Sequence, residues 1–213
     1  MLSTIKLITV NYMETTIKTT ERVLLILLKE PFVKHTATSL AKALNITRQG
    51  LWKSLNKLRE SKLIILESMG STKKSVISLK LQWKSPVTQK TLSLLLTKES
   101  LEYERWRVNF AELENYTSFF ILFGSVLRNS KEANDIDILA VVNNKNNFKL
   151  INEVILKLQK TQAKKIYLID LTEEEFKEEL KKQNRAYLDA IKKGIILFGQ
   201  DNYIKFIERT RET

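Results

Sequence analysis

The sequence predicts an α+β protein in three parts: a basic helical module closed by a β-hairpin, a linker helix, and a mixed sheet flanked by helices. Three observations carry this. Residues 20–60 show helical spacing of apolar positions, and two β-prone runs follow at 63–68 and 75–81. From residue 119 onward, strand and helix patterns alternate. The charge is also uneven. Residues 1–90 hold thirteen Lys and three Arg against five Glu and no Asp, so +11 of the net +12 lies there. A polyanion-binding module joined to a near-neutral one produces such a distribution, whereas a generally lysine-rich chain would spread it.

The 213 residues suffice for one large domain or two small ones, and 43% hydrophobic content supports a packed core. The absence of cysteine excludes disulfides and thiolate metal sites and fits a cytoplasmic protein. The longest aliphatic run, Val23–Leu28, is far short of the roughly 20 residues that span a bilayer, so no membrane association is expected. The first thirteen residues are too polar for a signal peptide, and Met13 is an alternative start.

The elements follow in order. TERVLLILLKE at 20–30 reads as a short amphipathic helix, with Thr20 as cap and Pro31 after its end. Thr38 or Ser39 can cap a second helix to Leu44, and Asn45-Ile46 makes a tight turn. Thr47 caps a third, in which Leu51, Leu55 and Leu58 form one buried stripe. Its other face carries Arg48, Gln49, Trp52, Lys53, Asn56, Lys57 and Arg59. Two short helices joined by such a turn form a helix-turn-helix, whose second helix enters the major groove of duplex DNA. Trp52 is expected to be partly buried, and His35 to be a surface loop residue. The hairpin that follows has Lys73 and Lys74 at its tip. Helices followed by this hairpin resemble the winged helix-turn-helix domains of bacterial and archaeal regulators. The resemblance implies DNA contact from Thr47, Arg48, Gln49, Trp52, Lys53 and Asn56, with base edges read by Arg48, Gln49 and Lys53, and contact with phosphates or the minor groove from Lys73 and Lys74.

Residues 1–86 are assigned to this module, and 87–115 to the linker. As one helix the linker would be about 44 Å long; a break near 97–100, where Ser100 offers a new cap, is the alternative. Trp106, Phe110 and Leu113 recur at helical spacing, to pack on the sheet or to form a homodimer seam. Residues 116–213 make the last domain. Its strands are 119–123, 135–142, 165–171 and 195–198; its helices include 148–159, with Leu150, Ile151, Val154, Ile155 and Leu158 inward, and one opened by a capping box from Thr172.

Asp135 and Asp137 lie two apart in a strand and so share a face. Paired carboxylates resist burial unless a cation joins them, and hard oxygen ligands suit magnesium or manganese. Gly124-Ser125, expected at the start of a short helix, offers N–H groups, a hydroxyl and a dipole to phosphates. Gly-Ser, nine residues, then Asp-x-Asp between apolar strands, with the later YLIDLTEEEFKEEL and GIILFG, resembles the minimal branch of the DNA polymerase β-type nucleotidyltransferases. The resemblance implies that Gly124, Ser125 and Arg128 hold the triphosphate and that Asp135 and Asp137 serve as catalytic metal ligands. It also implies transfer of a nucleoside monophosphate to a hydroxyl on a protein, RNA or small molecule, and a frequent place in toxin–antitoxin pairs. Active members carry a third acid in the next strand. Here Tyr167 stands at that position, and Asp170, a turn acid or a displaced ligand, is the remaining candidate. Enzyme and non-catalytic DNA-binding regulator or antitoxin both stay open.

Overall fold

The computed structural model describes residues 18–69 and 76–211, Met69 by its backbone alone. The hairpin tip with Lys73 and Lys74 lies outside them. In the N-terminal part, α1 (Thr19–Lys29) leads through β1 (His35–Thr36) to α2 (Ala37–Leu44) and α3 (Arg48–Glu60). Strands β2 (Ile64–Met69) and β3 (Val76–Leu81) complete a three-stranded antiparallel sheet ordered β1-β3-β2. This is a winged helix-turn-helix. The local causes are visible. Thr36 and Ser39 form the capping box of α2, Asn45 ends that helix in the left-handed region at φ 54°, and the Thr47 hydroxyl accepts from the Gly50 N–H at 3.1 Å to start α3.

The linker is two helices, α4 (Pro86–Leu101) and α5 (Glu104–Asn109), followed by a 3-10 turn at Ala111–Asn115. The break therefore falls at Glu102-Tyr103 and not at 97–100. Ser100, the expected cap, is buried inside α4 and donates to the Thr97 carbonyl at 2.8 Å. Strands β4 (Phe119–Phe123), β5 (Asp135–Val142), β6 (Lys165–Thr172) and β7 (Ile195–Phe198) form a mixed sheet ordered β6-β5-β4-β7. The β5–β6 pair is parallel and the other two are antiparallel. Helices α6 (Asn147–Gln159), α7 (Glu173–Lys181), α8 (Arg185–Lys193) and α9 (Gln200–Arg211) flank it.

Alternation in the strands divides the sheet into two buried faces. Phe120, Leu122, Ile136, Ile138 and Ala140 face α5 and α6, together with Trp106, Phe110 and Leu113. Those three aromatic and aliphatic side chains are at most 6% exposed, so they form no dimer seam. Leu150 is exposed rather than inward, because α6 turns Ile151, Val154 and Ile155 to the sheet. The other face, with Phe119, Ile121, Leu139 and Val141, shares one core with α4, α7, α8, α9 and the winged helix, including Val23, Leu27, Leu51 and Leu55. The halves are thus packed together rather than strung on a linker.

Charge at the junction follows the packing. Lys29, 8% exposed, bonds Glu99 at 2.7 Å and the Gly194 carbonyl at 2.9 Å. Glu30 takes Lys192 at 2.8 Å and lies 3.4 Å from His35 Nε2. His35 is buried, against the expectation of a surface residue, because the short strand β1 pairs it with Leu79. Burial holds its pKa below the ordinary value against the opposing pull of Glu30. Among the described residues, no helix is long and apolar enough to cross a membrane.

Candidate functional site

Asp135 and Asp137 open β5 on the face that carries Leu139 and Val141. Farther along the strand that face is fully buried, whereas both acids are half-buried. The strand period of two sets both acids on one face, and they occupy the end where the core gives way to solvent. Desolvation pushes Asp137 above the usual carboxylate range, and the negative charge of Asp135 adds to it. The charge of Asp135 thus disfavours that of Asp137, a repulsion that a hard cation between them would relieve.

Gly124 ends β4, where Phe123 pairs with Asp137. Its backbone sits at φ 83° and ψ −156°, a region that only glycine occupies readily. A Cβ at this position would fall inside van der Waals contact with Asp137 Oδ2. Glycine is thus required twice, by conformation and by the closeness of the acid. In place of the expected short helix, Ser125 begins only a three-residue 3-10 turn, Ser125–Leu127, and its hydroxyl donates to Asp135 Oδ1 at 3.4 Å. The first N–H groups of such a turn have no partner within it. Arg128 caps the turn and is exposed. It lines one open cleft with Ser125, Asn129, Glu132, Asn134 and Asp135.

Asp170 does not join this set. It pairs in register with Ala140, so it points to the other side of the sheet, where Asn152 Nδ2 donates to its carboxylate at 3.3 Å. The residue beside Asp137 is Tyr167, and the one beside Asp135 is Lys165. Lys165 Nζ lies 4.4 Å from the centroid of the Tyr167 ring, and the ring is 45% exposed. Among the described residues, no three acids or histidines are grouped to hold a metal. Sequence reading missed Lys165, Asn129 and Glu132. The parallel register that places Lys165 beside Asp135 is a tertiary fact, whereas Asn129 and Glu132, inside the polar stretch after Gly124-Ser125, could have been taken up from their position.

In the N-terminal part, Arg48, Gln49 and Lys53 lie exposed along one side of α3, with Trp52 and Asn56 half-buried at its margin. Trp52 packs partly on the core. Thr47 is committed to the cap of α3.

A winged helix is thus joined to a mixed sheet that presents Gly-Ser and a pair of aspartates. Residues 107–211, which hold that sheet, match the family model of the nucleotidyltransferase domain. No curated protein matches the chain. Solved structures similar to it include the adhesin competence repressor AdcR from Streptococcus pyogenes, at 14% identity, TM-score 0.34, over 68% of this chain and 80% of that one. Another is a point mutant of ZitR from Lactococcus lactis, at 17% identity, TM-score 0.32, over 71% and 81%. Superposition at that level says nothing of function.

Proposed function

We propose that this chain is a cytoplasmic DNA-binding regulator whose nucleotidyltransferase-type domain holds a nucleoside triphosphate together with magnesium or manganese. The observation that carries the nucleotide site is the convergence of Asp135, Asp137 and a side-chain-free Gly124 at the exposed end of an otherwise buried sheet face. Asp135 and Asp137 would hold the cation; the Ser125 hydroxyl and the turn's N–H groups would take phosphate oxygens, with Arg128 neutralising their charge. The bound ion would supply positive charge shared between the carboxylates and the phosphates. Arg48, Gln49 and Lys53 would meet base edges while Lys73 and Lys74 meet phosphates. Tyr167 favours binding over turnover: a phenol stands beside Asp137, where a carboxylate would accept the proton of an attacking hydroxyl.

The match of residues 107–211 favours a second reading, in which a nucleoside monophosphate passes from the triphosphate to a hydroxyl of a protein or RNA with release of pyrophosphate, as in an antitoxin that modifies its toxin. Calorimetry of magnesium–NTP into the parent and into Asp135→Asn/Asp137→Asn tests the site. The double variant should lose binding yet hold DNA like the parent. Equal NTP affinity in both would leave the acids as a wet strand end. Metal-dependent labelling of an acceptor by α-labelled NTP would decide for transfer.

A further inference from the structure

The cleft at Asp135 and Asp137 is bordered on its β6 side by cations and an exposed ring. Residues 160–165, which lead into β6, hold Lys160, Lys164 and Lys165 and no acid; the 128–134 loop adds Arg128 and Lys131 against Glu132 alone. The fold gathers three of these cations at one end of the sheet. Lys164 Nζ donates to the carbonyls of Lys131, at 3.3 Å, and of Ala133, which ties the two loops together with an ammonium between them. Lys165 stands beside Asp135 in the parallel register. Among the described residues, none of Lys131, Lys164 and Lys165 is ion-paired to a carboxylate. Two residues farther along β6 comes Tyr167, 45% exposed, with the Lys165 ammonium 4.4 Å from its ring centroid. β6 is an outer strand of its sheet, so this rim is open on one side.

We propose that the rim of Lys131, Lys164, Lys165 and Tyr167 binds single-stranded nucleic acid, separately from the duplex met by α3, as the partner side of the nucleotide cleft. Charge and ring select this occupant together. Lysines without acid partners suit any polyanion. An exposed aromatic ring beside them suits one whose bases are unpaired: a duplex keeps its bases stacked on each other, whereas a single strand can lay a base on the ring and its phosphates on the ammonium groups. An acidic protein segment would satisfy the lysines and gain little from the ring. Asp135 and Asp137 repel a phosphate until a cation joins them. As a partner of the nucleotide site the strand rests on the reading of that site, but its binding to the rim does not use the acids.

Fluorescence anisotropy of the full chain with an unpaired oligonucleotide of about 12 nucleotides, beside the duplex of the same sequence, tests this. Tyr167→Ala should weaken the single strand at least ~5-fold and leave the duplex unchanged, while Tyr167→Phe, which keeps the ring, should bind like the parent. Lys131→Ala and Lys165→Ala should each take about 0.7 from the slope of log affinity against log salt for the single strand, one phosphate contact apiece. Arg48→Ala should do the reverse of Tyr167→Ala, weakening the duplex and sparing the single strand. Asp135→Asn/Asp137→Asn should keep the single strand whether or not the parent binds magnesium–NTP, so failure of the nucleotide site and failure of the rim are read apart. A folded Tyr167→Ala chain that holds the strand like the parent, unchanged salt slopes in both lysine variants, loss of the strand in the aspartate double variant, or polyglutamate that displaces the strand as readily as an unlabelled strand of equal charge would each overturn the proposal.

Discussion

Gly124→Ala concentrates the physics of the site in one methyl group. The backbone there lies at φ 83°, ψ −156°, so any L side chain carries a conformational cost of about 1–3 kcal/mol. The added Cβ also meets the Asp137 carboxylate, so either the acid or the turn must move. Taking about 2 kcal/mol, and about 2–4 °C per kcal/mol for a chain of this size, the melting temperature should fall by about 4–8 °C. Affinity for magnesium–NTP should fall at least ~10-fold, because an ångström of displacement separates the acids from the Ser125 turn. Scanning calorimetry and isothermal titration read the two effects separately. Asp137→Ala in the Gly124→Ala background removes the atom that the methyl group meets but not the strained φ, so the double variant should recover part of the lost stability, a coupling that a cycle of single and double variants isolates. A Gly124→Ala protein that melts with the parent and binds nucleotide as tightly would refute the close approach of Gly124 and Asp137.

Other outcomes follow from the junction and the DNA-reading surface. His35 has a folded pKa below its unfolded value near 6.5, so the unfolded chain binds the extra proton first; stability should fall as pH drops below about 6.5, and less so in His35→Gln, by thermal melts from about pH 7 to about pH 5. Lys29→Met strands the half-buried Glu99 carboxylate and the Gly194 carbonyl and should cost about 1–3 kcal/mol in urea unfolding, and an unchanged midpoint would show the pair to be inert. Lys73→Ala/Lys74→Ala should weaken binding to all duplexes and flatten its salt dependence, whereas Arg48→Ala should relax sequence preference; fluorescence anisotropy across salt concentrations separates the two.

Much of this molecule was legible from residue periodicity. Leu51, Leu55 and Leu58 mark the buried side of α3, Thr172 and Glu175 form their capping box, and the alternation in 135–142 sets Asp135 and Asp137 together. These features depend on neighbours in the chain. What escaped depends on distant ones. The two-residue strand β1 exists only because β3 passes beside it, and it draws His35 inward. Ser100 looks like a cap until Arg107 Nη1 is seen to donate to its hydroxyl at 3.0 Å within the fold. The stripe at Trp106, Phe110 and Leu113 could serve a sheet or a partner, and only the placement of Phe120 opposite Phe110, 5.3 Å between ring centroids, decides for the sheet. The neighbour relation of β5 and β6 likewise sets Tyr167 and Lys165 at the acids and turns Asp170 away.

The claim that Asp135 and Asp137 form a metal-nucleotide site is tested most directly by anomalous diffraction from crystals grown with manganese and a non-hydrolysable NTP. The account predicts a manganese peak shared by the two carboxylates, at ordinary metal–oxygen distances, with phosphate oxygens beside Ser125 completing its ligands. A peak at Asp170 on the opposite face, or nucleotide bound with no metal between the two acids, would contradict it.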